Sequence, residues 1–231
     1  SPPLIWAIIP ARGGSKRLPQ KNLLPFCGAD SLTFRTVDTA INSGCFARVL
    51  VSTDEPRIAD EARRAGGMVP FMRPASLADD KAASVDVLWH SFSYLLETEG
   101  RLPDALCLLQ VTSPMLCAHH IKTAVAKFFA GNFNSLSSMT IVHQYPEWMY
   151  RVDEVGGRAV PENRTGIELP GCDIPRRFIE NGALYLVKGE WFFEQRTLYD
   201  YANHGCLQMS AEDSVDIDTR SDWEYAEYLC G

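Results

Sequence analysis

No apolar run in the 231 residues approaches the roughly 20 needed to cross a bilayer, so a helical membrane span is not expected. The opening stretch PLIWAII is too short for a leader, has no charged lead-in and no small-residue cleavage site, and reads instead as a strand. Positive charge is scarce: 22 Lys and Arg face 29 Asp and Glu, a formal −7. That balance excludes general nucleic-acid binding, which calls for a basic face. C-x-x-C pairs are missing as well. The seven cysteines (27, 45, 107, 117, 172, 206 and 230) are odd in number and are expected as reduced, partly buried thiols, with one reactive thiol as the alternative. There is no internal repeat and no low-complexity tract.

What is present is ordinary globular material, 46% hydrophobic and 22% charged, long enough for one large core. Strand and helix patterns alternate. Leu4–Ile9 is a nearly continuous apolar strand. Ser31 is placed to cap a helix running to Ile41, with Gly44 just beyond. Residues 48–53 (RVLVST) form the next strand, and a helix from Pro56 to Ala65 ends before Gly66. A short strand near Met68–Phe71, a helix Val85–Glu97, a strand Ala105–Val111, a helix Ala118–Phe129 and a strand Ser135–Val142 follow. The pattern lapses over 144–177, rich in Pro, Gly and charge, where a hairpin turning at Gly156-Gly157 is more plausible than a long structureless loop. It resumes with a strand Ala183–Val187, a helix Gly189–Gln195, a strand Cys206–Ser210 and a helix Ser221–Tyr228. The expectation is a single α/β domain over 1–231, with a mostly parallel twisted sheet flanked by helices and a projecting arm over 144–177.

Scarce as cations are overall, four of them crowd the segment IIPARGGSKRLPQKN: Arg12, Lys16, Arg17 and Lys21. A glycine-rich loop after the first strand of such a sheet lies at the edge where ligands bind. Its glycines free backbone N–H groups to face phosphate oxygens, and charge-assisted hydrogen bonds suit a nucleoside triphosphate. The Walker pattern G-x-x-x-x-G-K-[ST] and the dinucleotide pattern G-x-G-x-x-G are both absent. A solvated basic turn is the bland alternative. Near the other end, Asp216 and Asp218 in VDID share one side if the chain is extended there, with Val215 and Ile217 on the other. Such a pair suits Mg²⁺, which takes oxygen ligands and shares them with phosphates. Helix-capping acids are the alternative.

With STDEPRIADEA (52–62), FMRPASLADDKAASVDVL (71–88), LLQVTSP (108–114), ENGALY (180–185) and SVDIDTRSDW (214–223), nearly the whole chain resembles the CMP-N-acylneuraminate (sialic acid) synthetases, the acylneuraminate cytidylyltransferases. CMP-Kdo synthetases match less well at the loop. The resemblance implies the nucleotide-diphospho-sugar transferase (Rossmann-like) fold and a homodimer in which 144–177 is the dimerisation arm. The implied activity joins CMP from CTP to the anomeric hydroxyl of N-acylneuraminic acid, with magnesium as cofactor and pyrophosphate released. It gives Arg12, Gly14, Ser15, Lys16 and Lys21 to the phosphates, Asn22, Arg73 and Ser84 to the nucleoside, and Asp216 and Asp218 to the metal. Lys21, Arg12, Asp216 and Asp218 are the implied catalytic set, and Arg17 is expected at the surface. Ser84 could equally serve as a helix N-cap.

For the sugar, the resemblance implies Gln110, Thr112, Ser113, Asn181, Gly182, Ala183 and Tyr185, with Phe192 or Phe193 against the N-acyl group, although an aromatic pair there could equally be core. Leu116, Ile179 and Glu180 depart from the arginines that many bacterial relatives carry, so the sugar carboxylate is left to Arg164, Arg176 or Arg177, reaching across a dimer. His119 and His120 are expected on a helix flank, not at a metal. Another nonulosonic acid, 2-keto-3-deoxynononic or legionaminic, and a non-catalytic nucleotide-sugar sensor are the competing readings. A cytoplasmic location is implied, with a nuclear one left open by the vertebrate-like TSP and ENG motifs.

Overall fold

The computed structural model describes residues 2–78, 83–163 and 166–231. Six strands form the main sheet: β1 (Ile5–Pro10), β2 (Arg48–Ser52), β3 (Ala105–Leu109), β4 (Ser135–Ile141), β7 (Phe178–Lys188) and β8 (His204–Gln208), in the order β2-β1-β3-β7-β4-β8. β1 pairs in parallel with β2 and β3, and β4 does so with β8. β7 runs antiparallel between β3 and β4. The sheet is therefore mostly parallel with one reversed strand, and β7 begins five residues earlier than the apolar pattern suggests because Phe178–Gly182 is only half covered. The expected strand near Met68 is a single bridge to Leu50.

Alternation along β1 explains the layers. Ile5, Ala7 and Ile9 face one side, where they pack with Val37 and Ala40 of α1 (Leu32–Asn42), Ile58 and Ala62 of α2 (Pro56–Arg64), and Ile121 and Phe128 of α4 (Ala118–Ala130). Trp6 and Ile8 face the other, against Leu88, Phe92 and Leu95 of α3 (Ser84–Glu99) and Phe192 of α5 (Gly189–Gln195). Both faces are covered, as a buried parallel sheet requires.

A third, smaller cluster matters more for the site. Leu18 and Phe26, from the loop after β1, pack with Leu32, Val215, Ile217 and with Trp223 and Ala226 of α6 (Arg220–Cys230). Phe26 meets Trp223 edge-on at 5.4 Å between centroids. The N-terminal loop and the C-terminal helix thus share one core, and a Cys27–Cys230 disulfide joins them across 203 residues. This corrects the expectation of seven reduced thiols: five cysteines are free, and the bridged pair is brought together by tertiary packing that no local spacing signals.

The segment over 144–177 does hold a hairpin, β5 (Tyr150–Val152) with β6 (Ala159–Pro161), closed by Asp153 and Arg158 with Gly157 at φ 64°. Among the described residues no helix is long and apolar enough to cross a membrane.

Candidate active site

β1 has β2 on one side and β3 on the other, so the chain reverses its winding at β1, and the loop at its carboxyl end overhangs the crevice this creates. A cavity of about 560 Å³ opens there, lined by the cationic loop (Arg12, Gly14, Ser15, Lys16, Arg17, Lys21 and Asn22) together with Arg73, Ser84, Gln110, Thr112 and Asp218. Nine of the ten predicted nucleotide and catalytic residues therefore meet at one opening, the exception being Asp216.

The loop is held by specific contacts. Gly13 N–H donates to the Asp54 carboxylate at 2.9 Å, and a Cβ on Gly13 would stand 2.8 Å from that of Glu55, so only glycine allows this approach. Asn22 is buried: its Nδ2 donates to the Arg12 carbonyl at 3.0 Å, while its own carbonyl accepts from the Thr33 hydroxyl at 2.8 Å. Its Oδ1 has no partner among the described residues, and Asn22 lines the cavity wall, so this oxygen is an acceptor with spare capacity.

Lys21 closes the circuit. Its Nζ donates to the Ile217 carbonyl at 2.8 Å and to Asp218 Oδ1 at 3.3 Å, joining positions 196 and 197 apart in sequence. Val215 and Ile217 are buried while Asp216 is exposed and Asp218 half-exposed, so the carboxylates do share the outer side. Ile217 N–H is anchored on the Thr112 carbonyl at 2.8 Å, and the Thr112 hydroxyl hydrogen-bonds the Asp216 carboxylate. Desolvation raises the Asp216 carboxyl above its ordinary range, offset by Thr112, raised again by Asp218 and lowered by Lys21. The capping role falls to neither acid: Thr219 caps α6 and Asp222 completes the box. Arg17, expected at the surface, is 69% exposed yet reaches Asp218 Oδ2 at 3.2 Å, so it belongs to the rim of the site.

Arg73 is buried, with its guanidinium bonded to the Ser52 hydroxyl at 3.0 Å, the Ser52 carbonyl at 2.6 Å and, more weakly, the Leu77 carbonyl at 3.4 Å. Burial pulls its pKa down, Asp54 pushes it up and Arg12 pulls it down again. It is a rigid donor in the wall. Ser84 is the first residue of α3 with Ala83 at the cap position and no capping side-chain bond, so the competing N-cap role falls away. Ser52, Asp54, Glu55 and Leu77 fall within the quoted segments 52–62 and 71–88, but no role was expected of them. The Thr-Asp-Glu run before a Pro-led helix was the available signal, since Glu55 caps α2.

The expected sugar residues divide. Gln110 and Thr112 line the cavity. Ser113 is buried. Asn181-Gly182-Ala183 forms a bulge where β7 shifts register against β4: Gly182 has φ 77°, and Asn181 Oδ1 accepts from the Ser138 hydroxyl at 2.6 Å and Ala183 N–H at 3.1 Å. Asn181 Nδ2 is spent on the Ser214 hydroxyl at 2.9 Å, so this motif shapes the strand. Tyr185 is half-buried and close enough to Asp216 and Glu180 for both to raise its pKa, after burial. Glu180 accepts from the Tyr199 hydroxyl at 2.8 Å, an aromatic neighbour that sequence reasoning missed. Phe192 is fully buried against Phe92 and Trp89, which removes it from the sugar pocket. Phe193 is exposed and stacks on Trp89. Arg177 pairs with Glu147, Arg176 is exposed, and neither lines the cavity within one chain. Arg164 lies outside the described residues.

No group of three or more His, Cys, Asp and Glu able to hold a metal occurs among the described residues. Two carboxylates beside a cationic glycine loop still fit Mg²⁺, which takes a few protein oxygens and completes its shell with water and ligand oxygens.

A doubly covered sheet with a cationic glycine loop facing Asp218 across one crevice fits a nucleotidyltransferase. A family model described as "Cytidylyltransferase" matches residues 6–156, and the chain belongs to that family. Over 228 residues it is 33% identical to the CMP-N,N'-diacetyllegionaminic acid synthase of Legionella pneumophila, covering 97% of this chain and 95% of the relative. It is 31% identical over 225 residues to the N-acylneuraminate cytidylyltransferase of Streptococcus agalactiae, covering 94% of this chain but only 51% of that longer protein. Among solved structures it superposes on a CMP-2-keto-3-deoxy-manno-octonic acid synthetase complexed with CTP, with TM-score 0.70 and 19% identity over 98% of both chains, a likeness of fold.

Proposed function

We propose that this chain transfers CMP from CTP to the anomeric hydroxyl of a nonulosonic acid, N-acylneuraminic acid by preference, and releases pyrophosphate. One observation carries the reading: Lys21 binds the Ile217 carbonyl and Asp218, so the cationic loop and Asp218, one residue beyond Ile217 from Asp216, face one cavity. The identity to the streptococcal enzyme supports N-acylneuraminic acid, and the identity to the Legionella synthase favours legionaminic acid as the second reading.

In this reading Arg12, Ser15, Lys16, Lys21 and the open backbone at Gly14 neutralise the triphosphate. Asn22 Oδ1, Arg73 and Ser84 hold the nucleoside, and Gln110, Thr112 and Tyr185 the sugar. The sugar oxygen forms a bond to the α-phosphorus while the bond to pyrophosphate breaks, and the developing charge on pyrophosphate is met by the loop cations. Catalysis is positioning plus charge neutralisation. Asp216 and Asp218 would hold Mg²⁺, which when bound supplies positive charge at phosphate oxygens and eases loss of the hydroxyl proton.

A homodimer completes the reading. Trp148, Met149, Tyr150 and Val152 expose apolar surface on the hairpin side, and a second copy covering it would bring Arg176 and Arg177 toward the partner's cavity. A cytoplasmic location goes with it, although the Cys27–Cys230 bridge is unusual for a reducing compartment.

Incubation with CTP, Mg²⁺ and a panel of nonulosonic acids, scoring pyrophosphate, tests the proposal. Release with N-acylneuraminic acid above all others is expected. Release only with legionaminic acid transfers the assignment to it, and no release with any sugar favours a non-catalytic sensor.

A further inference from the structure

Away from the cavity, at the start of α4, three chemistry-bearing side chains line up. Cys117 is exposed and occupies the N-cap position; its Sγ lies 3.3 Å from His120 Nδ1. The Cys117 backbone N–H also points at that Nδ1, at 3.1 Å. A backbone N–H can only donate, so Nδ1 carries the lone pair and the ring proton sits on Nε2. That proton meets Asp213 Oδ2 at 3.2 Å, and Asp213 is itself held by its N–H bond to the Ser210 hydroxyl at 3.1 Å. The tautomer is thus fixed from both sides, with the basic nitrogen against the sulfur and a carboxylate behind it. This is the nucleophile, base and orienting-acid order that activates a thiol. The start of α4 adds the partial positive charge of its N–H groups, and no acid stands in its first turn.

Cys172 provides an internal contrast. It too is exposed, but its Sγ lies 3.7 Å from the Asp173 carboxylate, with no histidine in contact among the described residues.

We propose that Cys117 is a base-assisted nucleophilic thiol and a site of oxidation by hydroperoxides. The sulfur attacks one peroxide oxygen as its proton passes to His120 Nδ1. An S–O bond forms, the O–O bond breaks, and the leaving alkoxide or hydroxide takes the proton from Nδ1 to depart as alcohol or water. Sulfur is oxidised to the sulfenic acid while the hydroperoxide is reduced, and His120 returns to its starting tautomer. Asp213 is a positioning residue, since it acts through His120.

The test uses the intact, non-reduced chain at neutral pH with iodoacetamide, reading each cysteine by peptide mass spectrometry. Cys117 is expected to alkylate about tenfold or more faster than Cys172. His120→Gln should bring the two rates together, while fully buried Cys107 stays unlabelled and reports that the fold is kept. Should Cys107 become labelled in that variant, Asp213→Asn replaces it and must still slow Cys117 severalfold. After brief hydrogen peroxide treatment, dimedone should trap Cys117 in the wild type and far less in the variant. Equal rates at Cys117 and Cys172, an unchanged Cys117 rate in a folded variant, or no dimedone adduct at Cys117 would each overturn the proposal.

Discussion

Lys21 joins a carbonyl, a carboxylate and a cavity wall, and its amine is mostly buried, so it cannot be replaced by a solvated cation nearby. Lys21→Ala should lower kcat/KM for CTP by about 10²–10³, the usual cost of deleting one preorganised charge-stabilising donor. Steady-state kinetics of pyrophosphate release measures it, and a change under threefold would remove Lys21 from the phosphate site. Asp218→Asn should lose turnover while keeping metal-free CTP binding, because the amide retains the shape but not the charge. Unimpaired turnover would strike Asp218 from the catalytic group. At this scale the sequence was most readable where chemistry is local. The loop cations and the VDID alternation carry their meaning in their spacing, whereas Phe192 looked like Phe193 until packing buried one and exposed the other. Arg17 is at the surface as expected, and what the sequence did not show is its pairing with Asp218, a residue distant along the chain.

The elements that hold the site are the loop after β1 and helix α6, and Trp223 is the ring between them. Trp223→Ala should cost about 3–5 kcal/mol, typical of truncating a buried aromatic. Because the cavity it leaves sits under the cationic loop, KM for CTP should rise as well; denaturant melts and kinetics together check this, and a purely thermodynamic loss would mean the loop is held elsewhere. A second element-scale prediction concerns the β4–β8 pair, where His204 lies between the Ser135 and Ser137 hydroxyls at 2.6 and 2.8 Å. Burial lowers its pKa below the ordinary 6.5, partly offset by Glu180 and Asp200. The unfolded chain then binds a proton near pH 6.5 that the folded chain refuses until lower pH, so stability falls as pH drops through that window. Denaturation midpoints between pH 7 and 5 should show the fall, and His204→Gln should flatten it. The number of helices and the mostly parallel sheet followed from periodicity, but the strand order and β7's reversed direction did not, because antiparallel insertion leaves the same apolar run as a parallel strand does.

At the scale of the molecule, two features escaped the sequence entirely: the Cys27–Cys230 bridge and the use of Asn181-Gly182-Ala183 as a bulge. Both depend on contacts closed by the finished fold. The exposed apolar side of the hairpin makes its own prediction. If the proposed homodimer forms through this face, the wild type should sediment as a dimer at micromolar concentration and replacing Trp148 and Tyr150 by aspartate should make it a monomer; a monomeric wild type, or an unchanged mass in the variant, would contradict that arrangement.

In the proposed complex a nucleotide is gripped directly by the loop and through magnesium by the acids. Calorimetric titration of CTP with and without Mg²⁺ addresses it most directly, comparing the wild type with Asp216→Asn/Asp218→Asn. Mg²⁺ should tighten CTP about tenfold or more in the wild type, and the double variant should lose this increment while binding metal-free CTP at least as well. A double variant with the full magnesium increment would contradict it.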